Sequence, residues 1–416
     1  MPDLVTTPRL HINSARLRED FEQLSAIGAT ERGGVNRPAL SAAHMEARRW
    51  LKQRAMDAGL TVREDAAGNV ILRLESPISQ ARTLIIGSHL DSVPNGGRYD
   101  GALGVLAGLE VLRVVKEQQL FLPVHLEAVD FTDEEGTLVS FLGSFAMSGK
   151  LTEEDILHPR GGEDVFRDGL RRAGLKRERL REAGRAPGEL AGYLELHIEQ
   201  GPVLEQAGFP IGVVQAISGI RFFTLQFEGR AHHAGTTPME RRQDAGLAAA
   251  SFVVRFHQMV REGFPAGVGN IGQVNFWPGA FNIVPARAVL MVEVRAAEAN
   301  QLRQMAEAAI GLAHSVSAEF KVGCEVGAIG ERLPVAMDAG LQRLIRQTAE
   351  ANGWKTMSIV SGAGHDAQSF ADLCPTAVIF IPSHEGISHA EDEFSEWEDC
   401  LRGTELLLQV VLGAAQ

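Results

Sequence analysis

The sequence predicts an α/β protein: a three-layer main domain built on a largely parallel sheet, with a ferredoxin-like domain inserted into it. Three observations predict this fold class. The chain has 416 residues, too many for one ordinary hydrophobic core. Short apolar runs alternate with helical patterns over residues 1–217 and again over 331–416. Residues 218–330 instead follow the order β-α-β-β-α-β.

The first part opens with two helices and continues into strands. Asn13 is expected to cap the first helix and Ser41 the second, which ends at Gly59. Strand-like runs and an amphipathic helix then follow in the order TLIIGSHLDSV (strand-like up to Gly87), GALGVLAGLEVLRVVKEQQ (the helix), VHLEAVDF, YLELHIE and, late in the chain, TAVIFIPS. Alternation of this kind is typical of a parallel sheet covered by helices.

Residues 218–330 show a different pattern of predicted strands and helices. Their strand-like and helical runs are, in order, RFFTLQFEGRAH, RRQDAGLAAASFVVRFHQMVRE, VGNIGQVNFWP, ARAVLMVEVRA, EANQLRQMAEAAIGLAHSVSAEF and KVGCEVGAI. We expect this unit to be an insertion, because the earlier strand pattern resumes after it.

Composition and charge exclude several classes of protein. A net charge of −13 argues against nucleic-acid binding, which needs a basic face. No apolar run is long enough to span a bilayer, and the start MPDLVTTPRLHINSARLRED lacks the pattern of a signal peptide. The three scattered cysteines favour reduced thiols over disulfides. We therefore expect a cytoplasmic protein.

Metal-ligand residue types follow the predicted strands. In parallel sheets, ligands bind beyond the carboxyl ends of the strands, so these side chains are expected to converge. They are His89 and Asp91, then Asp100 in a glycine-rich turn, the pair Glu134-Glu135, His197, and finally His389. Taken singly, a histidine at a strand end is usually structural, and a Glu-Glu pair is usually a solvated turn. Their joint occurrence in this order favours a site.

The residue types indicate a catalytic metal centre. Imidazole and carboxylate ligands without thiolate suit zinc, cobalt, manganese or nickel. Two ions about 3.5–4 Å apart need one bridging carboxylate and further ligands on each side. Of the adjacent glutamates, one is expected to bind metal while Glu134 takes a proton from water. Asp91 is expected to accept the ring proton of His89.

With these motifs in view, the chain resembles the hydantoinase/carbamoylase family of amidases over nearly its whole length. The shared motifs are GSHLDSVPNGGRYDGALGV, DFTDEEGT, ELHIEQGPVLE, HAGTTPM, SGAGHDAQ and PSHEGISH. The resemblance implies two divalent metal ions: His89 and His197 would be terminal ligands of one, Glu135 and His389 of the other. Asp100 would bridge them, and Glu134 would be the general base and acid.

The same resemblance implies further roles in a homodimer. His233, in HAGTTPM, would stabilise the oxyanion from the partner subunit, with His232 as a bystander. Asn282 and Arg295 would bind the carboxylate and amide of the substrate, and Gln200 would contact it. A guanidinium does grip a carboxylate through two hydrogen bonds, although an ordinary surface arginine is the alternative for Arg295.

Some positions leave alternatives open or depart from the family. His365, with Asp366, is either substrate-binding, beside the ligands, or an ordinary loop histidine capped by an aspartate. No arginine follows the glutamate pair, Ala286 stands where the family has glycine, and AEDEF replaces a proline-containing run after His389. None of these changes removes a ligand or the base, but they weaken a transfer of substrate identity.

The predicted activity is hydrolysis of the ureido C–N bond of an N-carbamoyl-L-amino acid, giving the amino acid, carbon dioxide and ammonia. The nearest alternative is allantoate amidohydrolase, and an aminoacylase or dipeptidase fits HIEQGP and HAGTTPM less well. A metal-stabilised binding protein without catalysis is a further alternative, against which Glu134 speaks because a binder needs no base.

Overall fold

A computed structural model describes residues 10–416 as two compact units. Unit one contains the described residues up to Gln215 together with Met337–Ile359 and Gly364–Gln416. Unit two contains Ala216–Ala336 and Val360–Ala363. The interpretation of these units as a catalytic domain and a lid stays a prediction. The expectation of no signal peptide falls partly on residues 1–9, which lie outside the described residues.

The helices and strands follow the predicted alternation. The strands are β1 Thr61–Glu64, β2 Val70–Leu74, β3 Thr83–His89, β4 His125–Phe131, β5 Leu190–Ile198, β6 Ile211–Ile217, β7 Gly219–Glu228, β8 Val268–Trp277, β9 Arg287–Ala296, β10 Gly323–Arg332, β11 Val335–Ala336, β12 Thr356–Ser361 and β13 Thr376–Ile381. The α-helices are α1 Ser14–Ala26, α2 Ala42–Asp57, α3 Ala102–Glu117, α4 Leu142–Met147, α5 Glu153–Leu157, α6 Glu163–Ala173, α7 Val203–Ala207, α8 Ala245–Gly263, α9 Ala299–Phe320, α10 Ala339–Ala351 and α11 Trp397–Ala414.

In unit one the strands follow the order β1-β2-β4-β3-β5-β13-β6, and β12 also pairs with β6. The central strands β4, β3, β5 and β13 run parallel, while β1, β2 and β6 pair antiparallel at the flanks. The parallel centre confirms the predicted α/β class. β3 extends to His89, two residues beyond the predicted end at Gly87, so this histidine is the last residue of its strand.

The core of unit one lies on both faces of this sheet. On one face α3 packs on β3, and the buried Leu84 and Ile86 of this strand share a core with side chains of α1 and α11. On the other face Tyr193 stacks on Phe370 at a ring distance of 4.7 Å. α3 comes close to the sheet because of Gly104, where a Cβ would lie 2.5 Å from the Leu196 carbonyl oxygen. The packing therefore fixes the helix that begins directly after Asp100.

The two first helices begin where the sequence predicts. The Asn13 side chain accepts a hydrogen bond from the Arg16 N–H, and the Ser41 side chain accepts one from the His44 N–H. Both caps satisfy backbone donors that the first turn of a helix leaves without partners.

Unit two has a four-stranded sheet in the order β10-β7-β9-β8, with every neighbouring pair antiparallel. Helices α8 and α9 cover one face through a core that includes Phe227, Phe252 and Leu290. This is the predicted ferredoxin-like arrangement. Across the described residues, the three cysteines are free, and we find no helix long and apolar enough to cross a membrane.

Candidate metal centre

One group of possible metal ligands lies at the carboxyl end of the parallel strands. His89 ends β3, His197 lies near the end of β5, and Asp100 immediately precedes the turn into α3. Asp100 Oδ1 lies 3.1 Å from His197 Nε2 and 3.7 Å from His89 Nε2. One ligand atom from each residue lies within 4.8 Å of the other two, which is close enough for a common ion.

The other ring nitrogen of each histidine fixes the orientation of the ring. His197 Nδ1 lies 2.9 Å from the Ile198 carbonyl oxygen, and His89 Nδ1 lies 3.0 Å from the Asp91 carbonyl oxygen. A carbonyl can only accept, so Nδ1 carries a proton in both residues and Nε2 is the nitrogen that faces Asp100. A metal ligand needs this orientation of the ring.

The expectation for Asp91 needs a correction. The ring proton of His89 goes to the backbone carbonyl of Asp91, whereas the nearest oxygen of the Asp91 carboxylate is 4.0 Å away. That carboxylate instead accepts the backbone N–H groups of Glu134 and Glu135, at 3.3 and 3.2 Å. Asp91 thus anchors the glutamate pair, a contact that sequence spacing does not reveal.

A second ligand group shares Asp100 with the first. His389 Nε2 lies 3.3 Å from Asp100 Oδ2 and 3.4 Å from Glu135 Oε2. Asp100, Glu135 and His389 also satisfy the mutual 4.8 Å limit. The side chain of His389 is 51% exposed, so this half of the site opens to solvent. Each oxygen of the Asp100 carboxylate therefore faces a different ligand group, as a bridging ligand requires.

Glu134 belongs to neither group but lies beside the first. Its Oε2 is 3.7 Å from His89 Nε2, and its side chain is buried. The preceding Asp133 turns the chain with a φ of 58°, and its carboxylate accepts the hydroxyl of Thr137 at 3.0 Å. Because of this turn, the Glu134 carboxylate lies near His89 while the Glu135 carboxylate lies near His389.

The charges of the site fit divalent cations. Burial, followed by the neighbouring carboxylates, raises the pKa of both Glu134 and Glu135 well above the usual value. Burial alone would also raise the pKa of Asp100, but the adjacent imidazoles hold it well below its usual value. Imidazole and carboxylate donors suit zinc, manganese, cobalt or nickel, and a cation would relieve the repulsion between the buried carboxylates.

Glu393 is a residue that sequence reasoning missed. Its Oε1 accepts the backbone N–H groups of Tyr99 and Asp100 at 3.1 and 3.0 Å. Its Oε2 accepts the hydroxyl of Ser388, the neighbour of His389, at 2.6 Å. One buried carboxylate thus connects the loops that carry Asp100 and His389. The only sequence signal was the run AEDEF, which was noted as a departure from the family.

Gln200 and His365 lie at the site in different ways. Gln200 Nε2 donates to Asp100 Oδ2 at 3.0 Å and to the Ser388 hydroxyl at 3.2 Å. His365 is buried, and its ring meets that of His197 edge-on at 4.6 Å between centroids. The predicted substrate contacts of both residues stay predictions.

Glu195 was also missed. This fully buried residue accepts the Tyr193 hydroxyl and the Ala367 N–H, each at 3.0 Å. With His197 and His365 it forms a third group of side chains whose possible metal-ligand atoms lie close together. The carboxylate thereby anchors the segment after His365 to the strand that carries His197.

The remaining predicted residues lie in unit two. His233 is exposed and forms an isolated antiparallel bridge with Ile283, beside Asn282. Arg295 lies on β9, where its Nε donates to Glu293 at 2.7 Å and its Nη1 to the Gly362 carbonyl at 2.9 Å. Their predicted roles are taken up below as proposals.

Comparison with known proteins gives one consistent result. Residues 85–413 match the model of peptidase family M20/M25/M40. An N-carbamoyl-L-amino acid amidohydrolase of Geobacillus stearothermophilus is 37% identical, over 97% of this chain and 99% of its own. An allantoate amidohydrolase of Bacillus subtilis is 33% identical, over 90% of this chain and 91% of its own.

A solved structure agrees with these relatives. The amidase of the hydantoinase/carbamoylase family from Burkholderia multivorans superposes with a TM-score of 0.88 at 34% identity, covering 98% of this chain and 99% of that one. The chain therefore belongs to peptidase family M20/M25/M40, as a hydrolase of the hydantoinase/carbamoylase group that acts on carbon–nitrogen bonds other than peptide bonds.

Proposed function

We propose that this protein is a two-metal amidohydrolase that cleaves the ureido C–N bond of N-carbamoyl-L-amino acids. The observation that carries the proposal is the sharing of Asp100 between two ligand groups, with Glu134 left free beside them. The name of the relative that is 37% identical supports this substrate class. The reduced cysteines agree with a cytoplasmic enzyme.

In this proposal His89 and His197 would hold one ion, Glu135 and His389 would hold the other, and Asp100 would be shared by both. When bound, two divalent ions supply a Lewis acid for the carbamoyl oxygen and lower the pKa of water in the site. Zinc is the first candidate, followed by manganese, cobalt and nickel.

Glu134 handles the proton. Its carboxylate takes a proton from the attacking water as the oxygen bonds to the carbamoyl carbon. Glu134 then delivers that proton to the nitrogen of the amino acid as the C–N bond breaks. The other product is carbamate, which decomposes to carbon dioxide and ammonia. The buried position of Glu134, with Oε2 3.7 Å from His89 Nε2, fits this role because it keeps the carboxylate beside the first ligand group.

Substrate recognition is assigned to residues of unit two and to Gln200. Arg295 uses Nε and Nη1 in its bonds to Glu293 and Gly362. Its Nη2 group can bind the substrate carboxylate together with Asn282. Exposed His233, from the partner subunit, would stabilise the developing oxyanion. Gln200, next to Asp100, would contact the ureido group.

A homodimer is part of the proposal. β8 is an edge strand of the sheet in unit two, and most of its side chains are exposed, including Val274, Phe276 and Trp277. An exposed apolar edge of this kind favours association with a second copy. Sedimentation of the metal-loaded protein as a dimer is the expected result.

Allantoate is the second candidate substrate, supported by the Bacillus subtilis relative at 33% identity. An aminoacylase or dipeptidase activity has less support, because no relative reported above carries such a name. The test measures ammonia release from N-carbamoyl-L-amino acids and from allantoate, and release of the free amino acid from N-acetyl amino acids, with metal added back to chelated protein. Release from the carbamoyl compounds supports the proposal. Release from allantoate alone identifies allantoate as the substrate. No product from any compound with any metal contradicts an enzymatic role.

A further inference from the structure

A cleft of unit one lies beside β1 and β2, at one flank of the sheet, with Arg63 of β1 and Arg73 of β2 in its lining. It has a volume of about 680 Å³. Its lining includes Thr83, the first residue of β3, and Glu189, which directly precedes β5. These two strands run parallel, and they carry His89 and His197 at their other ends. The cleft therefore contains none of the candidate metal ligands.

Arginine dominates this cleft. Five guanidinium groups line it, those of Arg63, Arg73, Arg82, Arg179 and Arg185. The carboxylates in the lining are Asp65, Glu182 and Glu189. A cleft this rich in arginine is unusual on a chain whose net charge is −13.

Three of these arginines share one carboxylate. Glu127 is fully buried, and its oxygens lie 2.7 Å from Arg73 Nη1, 2.7 Å from Arg185 Nη1 and 3.2 Å from Arg63 Nη2. Burial alone would raise the pKa of Glu127, but these arginines, with Arg185 foremost, lower it. Arg73 also pairs with Glu75, at 2.7 Å from its Nε, so these two carboxylates leave the three guanidinium groups with one positive charge in excess.

Two guanidinium groups of the cleft have N–H donors that could bind a further acceptor. Nη2 of Arg185 is buried without a hydrogen-bond partner, as is Oε2 of Glu127, which lies 2.7 Å from Arg185 Nη1. Arg82 is exposed, and no carboxylate of residues 10–416 lies within 4.0 Å of its side-chain nitrogens. A buried donor without a partner is costly to leave unsatisfied. A small anion in the cleft would supply acceptors to such donors.

We propose that this cleft binds a small dianionic metabolite, with a phosphate monoester as the chemical class. A guanidinium presents two parallel N–H donors that match a phosphate or carboxylate edge, and several arginines together favour a doubly charged group. The volume lies within the range of small-molecule sites and leaves room for a short organic group beyond the phosphate.

The test is calorimetric titration of the metal-loaded enzyme with glycerol phosphate, and with succinate to represent dicarboxylates. The expected result is saturable binding of glycerol phosphate at one site per chain. Arg82→Gln should weaken it about tenfold, because one charge-assisted contact is lost. Glu182→Gln should tighten it, because Glu182 pairs with Arg179 at 2.8 Å and opposes the anion. The matched control Arg171→Gln, at an exposed arginine outside the cleft, should leave binding unchanged.

The opposite effects of Arg82→Gln and Glu182→Gln distinguish a binding site from a structural role, since a damaged fold would weaken both. Binding that survives removal of the metal supports the cleft, whereas binding abolished by chelation belongs to the metal centre and overturns the proposal. Tighter binding of succinate than of glycerol phosphate overturns the assignment to phosphate esters, and absence of binding by both overturns the site.

Discussion

The carboxylate of Glu393 should control how tightly the enzyme holds metal, although we do not assign it as a ligand. Replacement of Glu393 by alanine removes the acceptor of two backbone N–H groups, those of Tyr99 and Asp100, and the acceptor of the Ser388 hydroxyl. A hydrogen bond to a charged group contributes about 1.5–3 kcal/mol to stability. The loops that carry Asp100 and His389 would therefore lose their common anchor.

The expected loss of metal affinity for Glu393→Ala is about 10–100-fold, the usual effect of removing a group that orients metal ligands. Glu393→Gln should lose less, because its amide oxygen can still accept the two backbone N–H groups. The assay is competition for metal against a chromogenic chelator, with turnover measured at saturating metal. The neighbouring, exposed Asp392 provides the matched control as Asp392→Ala. If Glu393→Ala held metal as tightly as the wild type, the anchoring role would be refuted.

Three further predictions concern other parts of unit one. Gly101 has a φ of 65°, and a Cβ there would lie 2.4 Å from the His89 ring, so Gly101→Ala should lower metal affinity at least tenfold in the same chelator assay. Gly149→Ala, at a φ of 76° with open space around it, is the control, and an equal loss in both variants would contradict a clash with the ring. Glu134→Gln should lower kcat by about 10²–10⁴-fold with an unchanged metal content, and near-wild-type turnover would exclude Glu134 as the base. Burial lowers the pKa of His44 well below 6.5, so the folded form stays neutral while the unfolded form gains a proton. The contribution of His44 to the free energy of unfolding is therefore complete above pH 6.5 and falls by about 1.4 kcal/mol per pH unit below it. Denaturant titrations of wild type and His44→Asn should show this difference in slope, and identical slopes would contradict it.

The fold follows closely from sequence patterns, and the reason is physical. Apolar runs such as TLIIGSH are buried along their whole length in a parallel centre, whereas β7 and β9 of unit two alternate between buried and partly exposed positions. These two periodicities are local properties of the chain, so they can be read without the structure. The end of β3 was placed two residues early because glycine and serine interrupt the apolar run.

The grouping of the candidate ligands was also predictable, because their residue types follow predicted strand ends. The groups that orient those ligands were not predictable. The Asp91 carboxylate accepts the backbone N–H groups of Glu134 and Glu135. The Asp91 backbone carbonyl accepts the ring proton of His89, and the carbonyl of any residue type could do so. Glu393 reaches the backbone at Asp100 across almost three hundred positions of sequence, in a hydrogen bond that leaves no local pattern.

The arginine cleft escaped sequence reasoning for the same reason. Arg63 and Arg73 lie on neighbouring strands, while Arg185 lies in a loop far along the chain. Only the fold brings all three to the carboxylate of Glu127.

The central claim is that two ions share the carboxylate of Asp100, with Glu134 beside them. Its most direct test is an anomalous diffraction measurement on crystals of the metal-loaded protein, recorded on both sides of the absorption edge of the metal. We predict two anomalous peaks about 3.5–4 Å apart, one between His89 and His197 and the other between Glu135 and His389. A single peak, or two peaks of which only one touches Asp100, would contradict the claim.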